Sequence, residues 1–276
     1  MTCAWKELMS VLPSWLAAEV GRINGDALEE IRLRINMPAE LMYGKESVWL
    51  NRTVTRDDLN FCINAASRYS PWSASTASEG YITAPGGHRI GMCGEAVAKD
   101  GQIVTIRNLS SLCIRVAKDF PGIAHKLSSL TGSVLILGAP GWGKTTLLRD
   151  LIRQRSDRGE HIAVVDERSE LFPDRFPPGK RTDLLTGCRK TQGISMLLRT
   201  MGPQCIAVDE ITAPEDADGL LSAAWCGVRL LATAHAATLK DFQTRPVYQK
   251  LAEAYIFDTI VILHSDKTWH LERSHT

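Results

Sequence analysis

From Ser133 onward, short apolar runs recur near 133–137, 161–165, 204–208, 228–233 and 258–263, and the stretches between them carry the period of helices. Continuous apolar runs of this length, rich in Val, Ile and Leu, are the pattern of strands covered on both faces. Strand alternating with helix predicts a doubly wound α/β core with a mainly parallel sheet. Phe257-Asp-Thr-Ile-Val-Ile-Leu263, the turn Ser265-Asp-Lys267 and Thr268-Trp-His-Leu-Glu272 predict a closing hairpin. The longest apolar stretch, Leu220 to Ala237, is broken by Gly227, Arg229 and His235, so it reads as a core helix and a buried strand, not a membrane span. Leu171 to Cys188, with prolines at 173, 177 and 178 beside Lys180 and Arg181, reads as a long loop.

The earlier part of the chain is patterned differently. In Glu30-Ile-Arg-Leu-Arg-Ile35 apolar and basic residues alternate, which turns Ile31, Leu33 and Ile35 to a core and Arg32 and Arg34 outward. Thr55 and Asp58 open a helix as a capping box, with Leu59, Cys62, Ile63 and Ala66 as its buried stripe. Gly80-Tyr-Ile-Thr83, the turn Pro85-Gly-Gly87 and His88-Arg-Ile-Gly91 predict a hairpin, with more strands up to Val116. The expected organisation is a smaller α+β N-terminal domain, residues 1–125, joined across 121–130 to the α/β domain, residues 126–276.

Composition changes this picture little. A chain of 276 residues with 44% hydrophobic and 23% charged residues has the make-up of an ordinary soluble protein, and a net charge of +1 gives no sign of a polyanion, so no nucleic-acid partner is expected. Seven cysteines without a C-x-x-C pair read as reduced, mostly buried thiols, with neither zinc nor disulfides indicated. The opening Met-Thr-Cys-Ala-Trp-Lys-Glu lacks a basic flank followed by an apolar core, so no signal peptide is expected.

Candidate chemistry is concentrated after the first apolar run. Gly138, Ala139, Pro140, Gly141, Trp142, Gly143, Lys144, Thr145 and Thr146 fit G-x-x-x-x-G-K-[ST] between a strand pattern and a helix pattern, and so point to ATP with Mg²⁺. The glycines let backbone N–H groups converge on phosphate oxygens at a helix N-terminus. Lys144 is expected to reach the β- and γ-phosphates and Thr145 to ligate Mg²⁺, while Trp142 is expected to face solvent. The run ending at Val208 continues as Asp209-Glu210: Asp209 for the magnesium shell, Glu210 to polarise the attacking water. The run ending at Val165 continues as Asp166-Glu167, with Glu170 close behind, and carboxyl ends of parallel strands are where such sheets place ligands. His235, after the next strand, either reports the γ-phosphate or is satisfied by a backbone carbonyl. Arg89, Arg107 and Arg115 on the N-terminal strands read as a solvated basic face or as arginine fingers reaching phosphate across a domain or subunit boundary.

Together these motifs resemble the stage III sporulation protein AA family, itself similar to the ATPases of type II and type IV secretion and pilus retraction. The likeness rests on Glu30-Ile-Arg-Leu-Arg34, Gly80-Tyr-Ile-Thr83, Gly86-Gly-His-Arg-Ile-Gly91, Pro140 to Asp150, Val165-Asp-Glu-Arg-Ser-Glu170, Val208-Asp-Glu-Ile211, Thr233-Ala-His235 and Arg245-Pro-Val247. It implies a RecA-like P-loop ATPase core with four boxes: Lys144 and Thr145; Asp166, Glu167 and Glu170; Asp209 and Glu210; and His235. It further implies N-terminal arginines at the nucleotide and a homo-oligomer, a hexameric ring. That ring is expected in the cytoplasm, peripheral to the mother-cell side of the membrane, with membrane proteins of the sporulation channel complex as partners. Trp142 and Ala236 stand where the resemblance leads one to expect a small residue and a glycine. The expected function is a Mg-dependent secretion-type motor ATPase. A RecA-like DNA-dependent ATPase and a nucleotide-gated scaffold with little turnover are the alternatives.

Overall fold

The computed structural model describes residues 2–23, 27–44, 46–67, 80–173 and 176–273. The chain divides into two compact units, Met1–Asp119 and Phe120–Thr276.

The first unit runs β1 (Thr2–Cys3), α1 (Trp5–Val11), α2 (Ser14–Arg22), β2 (Glu30–Arg34), β3 (Pro38–Tyr43), β4 (Glu46–Thr53), α3 (Arg56–Ser67), β5 (Tyr81–Thr83), β6 (Arg89–Lys99), β7 (Gln102–Arg115) and β8 (Lys118–Asp119). Its antiparallel sheet has the order β4-β3-β2-β7-β6-β5. One face packs Ile31, Leu33, Leu41, Ile90, Leu112 and Ile114 against Leu8, Leu16, Val20, Leu59 and Cys62 of the helices. The alternation expected of β2 is therefore met: Arg32 and Arg34 take the other face, paired with Glu30 at 2.9 Å and Glu40 at 2.7 Å. The capping box at α3 also forms, the Thr55 N–H donating to Asp58 at 2.8 Å and the Asp58 N–H to Thr55 Oγ1 at 3.3 Å.

His88 is fully buried between β5 and β6. Its Nδ1 accepts the Ala117 N–H at 3.1 Å, so Nε2 carries the proton and donates to the Ala4 carbonyl at 2.9 Å, which makes the native ring neutral. Burial lowers its pKa below the ordinary 6.5, with the Ala4 bond and Glu7 opposing. The unfolded chain therefore binds a proton first as pH falls. The contribution of His88 to stability is complete above about pH 6.5 and lost as pH drops from there toward the depressed native value. Melting temperatures at about pH 7 and about pH 5 are expected to diverge more in the unaltered protein than in His88→Gln; equal divergence would contradict this.

The second unit runs β9 (Val134–Leu137), α4 (Lys144–Asp157), β10 (Ile162–Asp166), β11 (Thr182–Thr186), α5 (Lys190–Thr200), β12 (Cys205–Val208), α6 (Pro214–Trp225), β13 (Arg229–Ala234), α7 (Leu239–Thr244), α8 (Gln249–Ala254), β14 (Thr259–Leu263) and β15 (Trp269–Arg273). The sheet order is β11-β10-β12-β13-β9-β14-β15, parallel except for the closing β14–β15 hairpin. Adjacent strand residues face opposite layers. Leu135, Val165, Ile206 and Leu230 pack on Ile194, Leu197 and Leu220 of α5 and α6, whereas Ile136, Val164, Ala207 and Leu231 pack on Leu147, Leu148 and Leu151 of α4. This is the α/β arrangement expected of buried parallel strands.

Residues 120–127 belong with this unit because the buried Asp150 of α4 accepts the N–H groups of Gly122 at 3.0 Å and Ala124 at 2.8 Å. The expected loop at 171–188 needs correction, since β11 forms inside it and pairs with β10. As an edge strand β11 is only half buried, which removes the continuous apolar run by which its neighbours are read. Residues 174 and 175 of that segment lie outside the described residues. The cysteines are also less buried than expected: Cys62 and Cys205 are interior, while Cys93 and Cys226 are exposed. Among the described residues no helix is long and apolar enough to cross a membrane.

Candidate functional site

Between β9 and α4 the chain makes the loop carrying the glycine pattern. Gly141 at φ 75° and Gly143 at φ 100° lie in the left-handed region. A Cβ at either would meet nothing within 4 Å, so these glycines serve the backbone conformation, and the space before the loop is open. Gly143 caps the 14-residue α4 without a side-chain hydrogen bond, leaving the positive end of the helix facing that space. Lys144 is buried and its Nζ donates to the Ala139 carbonyl at 3.2 Å. Burial lowers its pKa below 10.5, and the Glu210 carboxylate pulls it part of the way back. Pro140 is exposed, and Thr145 and Thr146 are half buried in the first turn of the helix. Trp142 does not face solvent as expected: it is half buried and packs, with Trp269 of β15, against the core beneath α4. The turn before β15 also touches the loop, with Lys267 donating to the Gly141 carbonyl.

The neighbours β10, β12, β13 and β9 end side by side, and this brings the predicted acids and histidine next to the loop. Glu210 Oε2 meets His235 Nε2 at 2.7 Å, both side chains being about one third exposed. The His235 N–H donates to the Tyr248 hydroxyl at 3.1 Å, and Thr233 Oγ1 donates to the Asp209 carbonyl at 2.6 Å, fastening the ends of β12 and β13. Asp209 is 6% exposed; its Oδ1 accepts the Glu210 N–H at 2.7 Å. Burial pushes its pKa up to about 7, against Lys190 and that N–H, with Asp166 and Glu170 adding to the rise. Oxygen donors that could hold a divalent cation include the Thr145 hydroxyl and the Asp209 carboxylate, whose Oδ2 accepts no hydrogen bond from the described residues. Such hard oxygen donors fit magnesium.

Sequence reasoning missed Lys190. At the start of α5, with its side chain 3% exposed, it places Nζ 2.6 Å from Glu167, 3.5 Å from Asp209 and 3.7 Å from Asp216. Burial alone would lower its pKa; the carboxylates, Asp209 first, raise it above 10.5. No motif or spacing marks it. Asp166, expected beside Glu167 from the strand end and from the family likeness, points elsewhere: its fully buried carboxylate accepts the N–H groups of Glu170, Leu171 and Phe172 and closes the loop after β10.

The three arginines lie in the first unit. Arg89 and Arg115 are cross-strand partners on the face away from the core; Arg89 lies 3.8 Å over the Tyr81 ring and Arg115 is 3.5 Å from Glu30. Arg107 sits on the exposed outer half of the β6–β7 hairpin, 3.4 Å from Glu95.

Residues 9–270 match the family described as Sporulation stage III, protein AA. The Stage III sporulation protein AA of Bacillus subtilis (strain 168) is 34% identical over 280 residues, which cover 95% of this chain and 91% of that protein. Among solved structures, the ATPase DotB of Legionella pneumophila is similar with a TM-score of 0.61 at 17% identity, over 95% of this chain and 80% of that one. The pilus retraction motor PilT with bound ADP is similar with a TM-score of 0.62 at 14% identity, over 95% of this chain and 82% of that one. At these identities the two structures speak for the fold alone, and membership rests on the sequence: the chain belongs to the Sporulation stage III, protein AA family.

Proposed function

We propose that this protein is an ATP-hydrolysing motor of the secretion-ATPase kind, with a RecA-like core in its second unit. The observation that carries the reading is Glu210, held by His235 at 2.7 Å and within electrostatic reach of Lys144 beside the uncapped N-terminus of α4. The loop 138–146 would wrap the phosphates with its N–H groups, and Lys144 would release the Ala139 carbonyl to bind the β- and γ-phosphates. Thr145 and Asp209 would hold magnesium, which when bound draws charge from the phosphate oxygens. Water attacks the γ-phosphorus, the bond to the β–γ bridging oxygen breaks, and the proton of the water passes to Glu210, oriented by His235. Glu167 completes the acidic group through Lys190.

That DotB is called an ATPase and PilT a retraction motor supports this reading by likeness of fold. Arg89, Arg107 and Arg115 would act as fingers on the nucleotide of a neighbouring chain, which calls for a homo-oligomer; the resemblance to secretion ATPases favours a hexameric ring. The relationship to the Bacillus subtilis protein supports a role in sporulation; together with the family resemblance we read it as work on a channel complex at the mother-cell side of the membrane, with membrane proteins as partners and no nucleic acid.

Phosphate release from Mg·ATP, measured against protein concentration, tests this. Turnover per chain is expected to rise steeply as chains associate. A rate per chain that stays flat removes the fingers in trans, and no phosphate at any concentration removes the enzyme.

A further inference from the structure

We infer that Lys190 is a positioning residue for hydrolysis: it fixes the Asp209 carboxylate through Oδ1 so that Oδ2 is left to a divalent cation, and Glu167 acts through it. The inference rests on the ATPase reading above and adds a residue to it.

Three elements converge on this one ammonium: the end of β10 through Glu167, the end of β12 through Asp209, and the first turn of α6 through Asp216. Asp216 is the fixed post, because its carboxylate already accepts the N–H groups of Thr212 at 2.9 Å and Ala213 at 3.2 Å. The start of α5 is equally constrained: a Cβ at Gly193 would lie 2.7 Å from Val165 Cγ1, so the helix backbone is pressed against β10. The position of Nζ is thus set by rigid neighbours, and the two site carboxylates are set by Nζ.

Both the Glu210 N–H, at 2.7 Å, and Lys190, at 3.5 Å, approach the same oxygen of Asp209, Oδ1. That shared choice fixes the carboxylate rotation. Without the ammonium, the Glu167 and Asp209 carboxyl groups have no cation between them, and Oδ1 of Asp209 loses one of the two groups that orient it. An ammonium suits this task better than a guanidinium, since one compact charge meets three acids from different directions.

Lys190→Met keeps most of the stem and removes the charge. Its expected signature is a kcat lowered by about tenfold or more, with binding of a fluorescent ADP analogue in the absence of metal kept within about twofold. Mn²⁺ binding in the presence of ADP, read by electron paramagnetic resonance, should weaken severalfold. Should Lys190→Met fail to fold, Glu167→Gln reads the same pattern at smaller amplitude, because it removes the carboxylate charge nearest the ammonium and nothing from the loop. A wild-type kcat and Mn²⁺ affinity in either variant overturns the inference. So does a parallel loss of turnover and metal-free nucleotide binding, which would mark Lys190 as a brace for the fold. If the unaltered protein releases no phosphate, the ATPase reading falls and this one with it, whereas turnover in the unaltered protein with an unaffected Lys190→Met sinks this inference alone.

Discussion

Glu210→Gln is expected to slow ATP turnover by about 10²–10⁴-fold while leaving nucleotide binding in place. Gln matches Glu in shape, so the side chain, about one third exposed, is replaced without a cavity and without disturbing the ends of β12 and β13, which Thr233 and the Ile211 N–H tie together through the backbone. What is lost is the carboxylate proposed to take a proton from the attacking water. An amide cannot serve as that base. It can still meet the His235 ring, so the local geometry survives and the loss falls on chemistry. A fluorescent ADP analogue should therefore bind both proteins alike, while phosphate release separates them. Turnover within about threefold of the unaltered protein would show that Glu210 is not the base.

How much of this was legible in the sequence depended on whether a residue's environment is set by its neighbours in the chain. The strands β9, β10, β12, β13 and β14 are buried along most or all of their length, so each is written as an uninterrupted apolar run, and each appears within a residue of the expected place. The place of the loop 138–146 and of the acids after β12 was legible for a related reason: a parallel sheet delivers strand ends to one edge. β4 went unread because it is exposed along nearly its whole length and carries no periodicity. β3 and the helices α1 and α2 did carry signals, Ala39 with Leu41 on alternate positions, and Leu8, Val11 and Leu12 then Leu16 and Val20 at helical spacing across Pro13.

Side chains whose partners lie far along the chain were not legible. Trp142 reads as solvent-facing until the closing hairpin brings Trp269 against the same core. Lys190 is an unremarkable helix-start lysine until three separate elements direct carboxylates at it. Asp166 looks like a site acid by adjacency to Glu167, yet an alternating strand end sends neighbouring side chains in opposite directions, and its own goes to the backbone of 170–172. The N-terminal arginines were legible as an outward face and no further, because what they reach is not written in the strand that carries them.

Lys144→Ala should produce a loss of a different kind from Glu210→Gln, and the contrast tests the loop assignment itself. The Lys144 side chain makes one hydrogen bond, to the Ala139 carbonyl of its own loop, so truncating it unties little of the fold. It does remove a buried positive charge from the N-terminus of α4 and leaves Glu210 without that counter-charge. An anionic nucleotide would then lose the one cationic side chain of the loop and face Glu210 with His235 as its remaining partner. Binding of the fluorescent ADP analogue should weaken by about tenfold or more, and kcat should fall by about 10²–10³-fold, since the charge developing on the phosphates loses one of its partners in the transition state. Arg in place of Lys is not expected to restore either quantity, because a planar fork cannot occupy the buried stem's path through the loop. Binding and turnover failing together in Lys144→Ala, but separately in Glu210→Gln, is the pattern that a phosphate-holding lysine and a water-activating acid must give; Lys144→Ala hydrolysing ATP at the unaltered rate would leave the loop 138–146 without its assigned role.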